Sequence, residues 1–147
     1  SDVDEEYVLM AHITSHGYYD GFQVGLLDNI FNIEVETNYN EKIMKLYQGR
    51  KESHPVLTLK KERSLLEEAL EWAKAEEKYV LFEMVEDDDY PPIGLVKEIS
   101  EDYICVQCYD GYGEKDGFAY LKRENIVRAC IDGKEGQDLE ILCREKE

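Results

Sequence analysis

Cys105-Val106-Gln107-Cys108 has the spacing of a metal knuckle or a redox pair, because soft thiolates three residues apart can share a metal or a disulfide. The surrounding residues read as a strand, however. In an extended strand, residues i and i+3 point to opposite faces, so these thiols converge only across a bulge. Zinc would need two more ligands, and there is no second C-x-x-C; Cys130 and Cys143 stand apart. Reduced structural thiols and a cytoplasmic protein are therefore expected. His12 and His16 are four apart, a helical metal spacing, but they fall at a strand end and in a loop; His54 is isolated. Turn and surface roles are expected for all three. Asp87-Asp88-Asp89 runs into Pro91, whereas a calcium loop needs alternating oxygens, a central Gly and a later Glu. Asp110-Gly111-Tyr112-Gly113-Glu114 puts Tyr112 where a ligand should be. No phosphate-cradling loop or nucleophile elbow is present. Among 34 acidic residues, no single pair can be chosen as an acid–base couple. No catalytic residue, no cofactor and no metal site is expected.

The elements that would position any site come from a repeat. Shifted by 96 residues, Tyr7–Gln48 lies over Tyr103–Arg144 without a gap, and eight of 42 positions are identical. These are Tyr7/Tyr103, Gly17/Gly113, Asp20/Asp116, Gly21/Gly117, Phe22/Phe118, Asn29/Asn125, Ile30/Ile126 and Leu46/Leu142. Unrelated segments would share roughly two or three by composition. Two copies of one structural unit are expected. A residue kept in only one copy is a weaker candidate for a function shared by both.

Each copy reads as β. Tyr7–Ile13 and Tyr103–Tyr109 are strand-length apolar runs, each followed by a Gly-containing loop ending in Asp-Gly, which suits a hairpin turn. New strands begin at Phe22 and Phe118. Further strands are expected at Ile30–Glu36 and Ile126–Ile131, and at Ile43–Tyr47 and Leu139–Cys143. Between the copies, Leu66, Ala69, Leu70 and Ala73 have helical spacing, so one amphipathic helix is expected near Lys60–Glu77. Ser64 and Glu67 have capping-box spacing, with Thr58 as a competing N-cap. Lys78–Val85 and Ile93–Ile99 read as two more strands. The domains are read as 1–50, a partial first repeat; 51–77, connector and helix; and 78–147, the second repeat. The first copy starts late. The missing initial Met favours an N-terminal extension, and the alternative is completion by the second unit or by another chain.

A helix followed by five short, bent strands resembles the Sm-like fold, within the SH3-like small barrels. The resemblance lies in Tyr79–Ile131, with Gly94-Leu95-Val96 in the bent second strand and Glu124-Asn125-Ile126-Val127 at the turn before the fifth. It implies a mainly β protein of two Sm-like barrels, the first incomplete, bridged by one amphipathic helix. It also implies RNA binding as an expectation. The family's RNA site uses an Asp and Asn pair and an Arg-Gly pair. This chain has Ser100-Glu101-Asp102-Tyr103 and Arg123-Glu124-Asn125 at those places.

The net charge of −17 opposes binding to nucleic acid or to an anionic membrane. No run approaches the roughly 18 apolar residues that span a bilayer. The charge is unevenly spread: residues 1–41 hold nine acids and no Lys or Arg, while Lys42, Lys45, Arg50 and Lys51 begin a basic stretch reaching Arg63. The expected function is a non-enzymatic interaction module that binds a protein or self-associates. Its contacts would be Tyr18, Tyr19, Asp20, Tyr112 and Asp116 on the two repeated loops. The alternative is RNA binding through the basic segment 42–63, and the third reading is a small metal-dependent enzyme.

Overall fold

The computed structural model describes residues 2–86 and 89–146. The strands are β1 (Asp2–Val3), β2 (Tyr7–Ile13), β3 (Tyr19–Leu26), β4 (Val80–Met84), β5 (Ile93–Ile99), β6 (Tyr103–Tyr109), β7 (Lys115–Lys122) and β8 (Ile126–Ile131). The helices are α1 (Asn38–Gly49), α2 (Leu65–Ala75) and α3 (Lys134–Arg144). The fold is mainly β, an open antiparallel sheet in the order β1-β2-β3-β8-β4-β5-β6-β7.

The repeat is structural. Hairpins β2–β3 and β6–β7 coincide under the 96-residue shift, and both carry a bulge at the same place, between Ala11 and Ile13 and between Gln107 and Tyr109. Their turns match as well. The Tyr18 N–H donates to Thr14 Oγ1 and the Glu114 N–H to Asp110 Oδ1, each at 3.0 Å. Strand β1 is the counterpart of the end of β5: Asp2 and Val3 face Leu9 and Val8 as Glu98 and Ile99 face Cys105 and Ile104.

Among the described residues, three α-helices form where one was expected. The residues expected as closing strands, Ile43–Tyr47 and Leu139–Cys143, lie in α1 and α3, which themselves begin 96 residues apart. Ile43, Leu46 and Tyr47, like Leu139, Leu142 and Cys143, stand at i, i+3 and i+4, a helical rather than an alternating period. Thr37 starts α1, its Oγ1 accepting from the Asn40 N–H at 3.1 Å. The expected strand Ile30–Glu36 is also absent; Ile30–Val35 is irregular, and Phe31, Ile33 and Val35 are exposed.

Helix α2 starts at Leu65, later than the Lys60 of the expected range. Ser64 caps it, with Oγ accepting from the Glu67 N–H at 3.2 Å. The buried Glu68 carboxylate takes the N–H groups of Lys60 and Lys61 at 2.9 and 2.8 Å, which holds those residues in the connector, outside the helix. Leu66, Ala69, Leu70 and Ala73 then seal one core against Phe22, Val24, Phe82, Val106 and Ile131. Both copies thus share one sheet and one core, joined where β3 pairs with β8. Among the described residues, no helix is long and apolar enough to cross a membrane.

Candidate functional site

In the first copy, the residues expected to contact a partner are largely engaged within the chain. The Tyr19 hydroxyl donates to Asp132 Oδ2 at 2.8 Å; burial and that bond push the phenol well above its usual range. Asp20 Oδ1 accepts from the Lys134 N–H at 2.8 Å, and its Oδ2 pairs with His12 Nδ1 at 2.7 Å. Tyr18 is stacked under the Arg50 guanidinium, 4.3 Å from the ring centroid. Asp20 therefore ties the first hairpin to the start of α3.

His54 is not isolated at the surface, as its sequence surroundings suggest. Its ring lies 4.5 Å from that of Tyr19 and 5.2 Å from that of Phe22. Nδ1 accepts from the Tyr47 hydroxyl at 2.8 Å, while Nε2 meets the carbonyls of His12 and Gly21 at 2.9 and 3.0 Å. Two carbonyl acceptors require the proton on Nε2. The connector thus uses His54 to cover β3.

Of the basic segment, Lys42 and Lys45 lie in α1, and Arg50 and Lys51 follow its end. Arg50 also donates from Nε to the His16 carbonyl at 2.9 Å, and Lys51 sits in a turn with φ +58°. Lys42 and Lys45 share a shallow depression on α1 with Glu41. Arg123, set against the family's arginine by the resemblance in the sequence, is held by Glu67 at 2.6 Å and by the Ser100 carbonyl at 3.1 Å.

Among the described residues, no three His, Cys, Asp or Glu side chains converge as a metal site. Asp87 and Asp88 of the acidic run lie outside the described residues. All four cysteines are free, and burial pushes the Cys108 thiol up and the Cys130 thiol to about 11, away from the nucleophilic thiolate.

The second copy differs at its outer edge. Strand β3 is covered by β8, His54 and Trp72, whereas its counterpart β7 ends the sheet. Phe22 is 6% exposed and Val24 0%, but their counterparts Phe118 and Tyr120 are 61% and 67% exposed. Beside β7 runs a groove of about 870 Å³, with Leu81, Ile93, Phe118 and Leu139 among its apolar lining and Asp110, Asp116, Glu135 and Asp138 among its acids. Asp116 is thus the one expected contact residue in this groove; Tyr112 is exposed on the adjoining turn. The sequence reading missed Phe118 and Tyr120, since a repeated Phe after Asp-Gly reads as core in both copies. The available signal was Val24 becoming Tyr120, an aliphatic core residue exchanged for an amphipathic one.

Comparison with protein-family models, with curated proteins and with solved structures finds no match to this chain.

Proposed function

We propose that this protein is a non-enzymatic interaction module that receives an extended protein segment on the outer edge of β7, above the acidic-rimmed groove. The observation that carries this reading is the contrast between β3 and β7: equivalent strands, one paired on both sides, the other open with two large aromatic residues exposed. Open edges are ordinarily blunted by charge, proline or shortness. Strand β7 has eight residues, and beyond Lys115 and Asp116 its next charge is Lys122 at the far end. An added strand would gain main-chain hydrogen bonds from the edge and side-chain selectivity from the groove.

We read the second copy as an Sm-like unit: α2 is followed by five strands, and the fifth, β8, returns beside the first, β4. Gly94 supports the bent-strand comparison, because a Cβ there would come within 1.9 Å of the Gln107 carbonyl oxygen. A cytoplasmic location is part of the proposal and rests on the sparse, unpaired cysteines. RNA binding has less support, since Arg50 and Arg123 are engaged within the chain and the net charge is −17.

The test is affinity capture from nuclease-treated native lysate with wild-type protein and with Phe118→Lys and Tyr120→Lys, each confirmed folded by circular dichroism. Protein partners lost in both variants support the reading. Partners retained by both, or binding that disappears with nuclease, refute it.

A further inference from the structure

We propose that the segment received by β7 is Ile30–Val35 of a second copy of this chain. The proposal rests on the reading of β7 as an acceptor edge and names its occupant. Within one molecule, β3 of the first copy pairs antiparallel with β8 of the second. Under the 96-residue shift, β3 corresponds to β7, and β8 (126–131) corresponds to 30–35. The reciprocal pairing would join β7 to 30–35, and both are left open. Phe31 is 93% exposed, and Ile33 and Val35 alternate with it as exposed apolar residues, the period of a strand. The chain therefore carries a donor strand and a matching acceptor edge, each already seen paired in its repeat counterpart.

The register follows from the observed one. Phe22, Gln23, Val24 and Gly25 face Ile131, Cys130, Ala129 and Arg128. Adding 96 to the first set and subtracting 96 from the second places Phe118 opposite Val35, Ala119 opposite Glu34, Tyr120 opposite Ile33 and Leu121 opposite Asn32. Aromatic–aliphatic pairs across antiparallel strands are favourable, and two arise here. The same chain cannot readily supply the segment. Strands β8, β4, β5 and β6 separate β3 from β7, about 24 Å along the sheet at ~4.8 Å per strand. The link from Leu26 to Ile30 reaches only about 14 Å. The contact is head to tail, so molecules add in sequence until a ring closes. With a charge of −17 on every copy, assembly strengthens as salt screens the repulsion.

The test is sedimentation velocity of the full chain over a range of concentrations, for wild type, Ile33→Lys, Tyr120→Lys and an equal mixture of the two variants. Both side chains are exposed, so neither substitution disturbs the core. Wild type is expected to exceed the monomer, and each variant alone to remain monomeric. The mixture should stop at dimers, because Ile33→Lys keeps a working β7 and Tyr120→Lys a working 30–35 segment. A wild type that stays monomeric at every concentration overturns the proposal, as does assembly by Ile33→Lys or a mixture that does not dimerise. If wild type is monomeric but a foreign protein is still captured through Phe118 and Tyr120, this inference fails while the acceptor-edge reading stands.

Discussion

Gly21 lies so close to β8 that a Cβ built on it would come within 1.9 Å of the Ile131 carbonyl oxygen. Its counterpart Gly117 has nearly the same backbone, φ +76° against +68°, but a Cβ there meets nothing within 4 Å. Two identical glycines at equivalent positions of β3 and β7 thus differ in whether a neighbouring strand lies against them.

Alanine at these two positions should separate backbone strain from strand contact. Gly117→Ala pays only for a positive φ, about 1–2 kcal/mol. Gly21→Ala adds a collision with a backbone that cannot easily move, and should cost upward of about 3 kcal/mol. Urea denaturation measures both. Gly117→Ala should also abolish assembly, since the added methyl would meet the incoming strand as Gly21 would meet Ile131; sedimentation of the folded variant checks this.

Asp4 provides a pH-dependent tie between the first copy and α2. Its Oδ1 accepts from the N–H groups of Glu6 and Tyr7 at 2.8 and 2.6 Å, and its Oδ2 from Leu65 at 2.9 Å. Burial raises its pKa, but the three donors outweigh burial and leave it below the ordinary 3.8. A depressed carboxylate contributes stability that is complete above the unfolded value and is lost as pH falls through the folded one. Asp4→Asn should cost about 1–2 kcal/mol at pH 7 and flatten the decline of stability below pH ~4. Denaturation midpoints from pH 7 down to 3 test both expectations.

Much of the architecture was legible in the residues. Tyr7, Asp20-Gly21-Phe22 and their counterparts marked the paired hairpins, and Ser64 with Glu67 marked the start of α2. The helices α1 and α3 were misread because Ile43–Tyr47 and Leu139–Cys143 are short apolar runs, in which one helical turn and one strand look alike. The segment Ile30–Val35 has a strand pattern but no strand beside it, and pairing is a tertiary fact that a local pattern cannot carry. The site was hidden for the same reason. Phe22 and Phe118 are the same residue in the same motif, but β3 turns Phe22 and Val24 to the core and pairs with β8, whereas β7 turns Ala119 and Leu121 inward and leaves Phe118 and Tyr120 on its outer face.

His54→Ala should open the cover over β3. It removes a ring packed against Tyr19, Phe22 and Tyr47 and leaves the His12 and Gly21 carbonyls without their donor. A loss of about 2–3 kcal/mol is expected. Amide hydrogen exchange should quicken along β3 while β6 and β7 keep their rates.

Neutralising Lys42 and Lys45 to Gln should change stability by less than about 0.5 kcal/mol and leave partner binding intact, because both line a depression on α1 that shares no residue with the groove beside β7. Fluorescence anisotropy with single-stranded RNA at low salt checks the competing reading. No binding by wild type is expected, and binding that these substitutions abolish would favour the basic segment.

The most direct measurement of the central claim is photo-crosslinking from β7 itself. A benzophenone amino acid replaces Phe118, with the same probe at the exposed Val56 as control, and adducts are mapped by mass spectrometry at increasing protein concentration. The account predicts intermolecular adducts from position 118 that centre on Ile33–Val35, grow with concentration and do not form from position 56. No adduct from position 118, or adducts scattered equally from both positions, would contradict it.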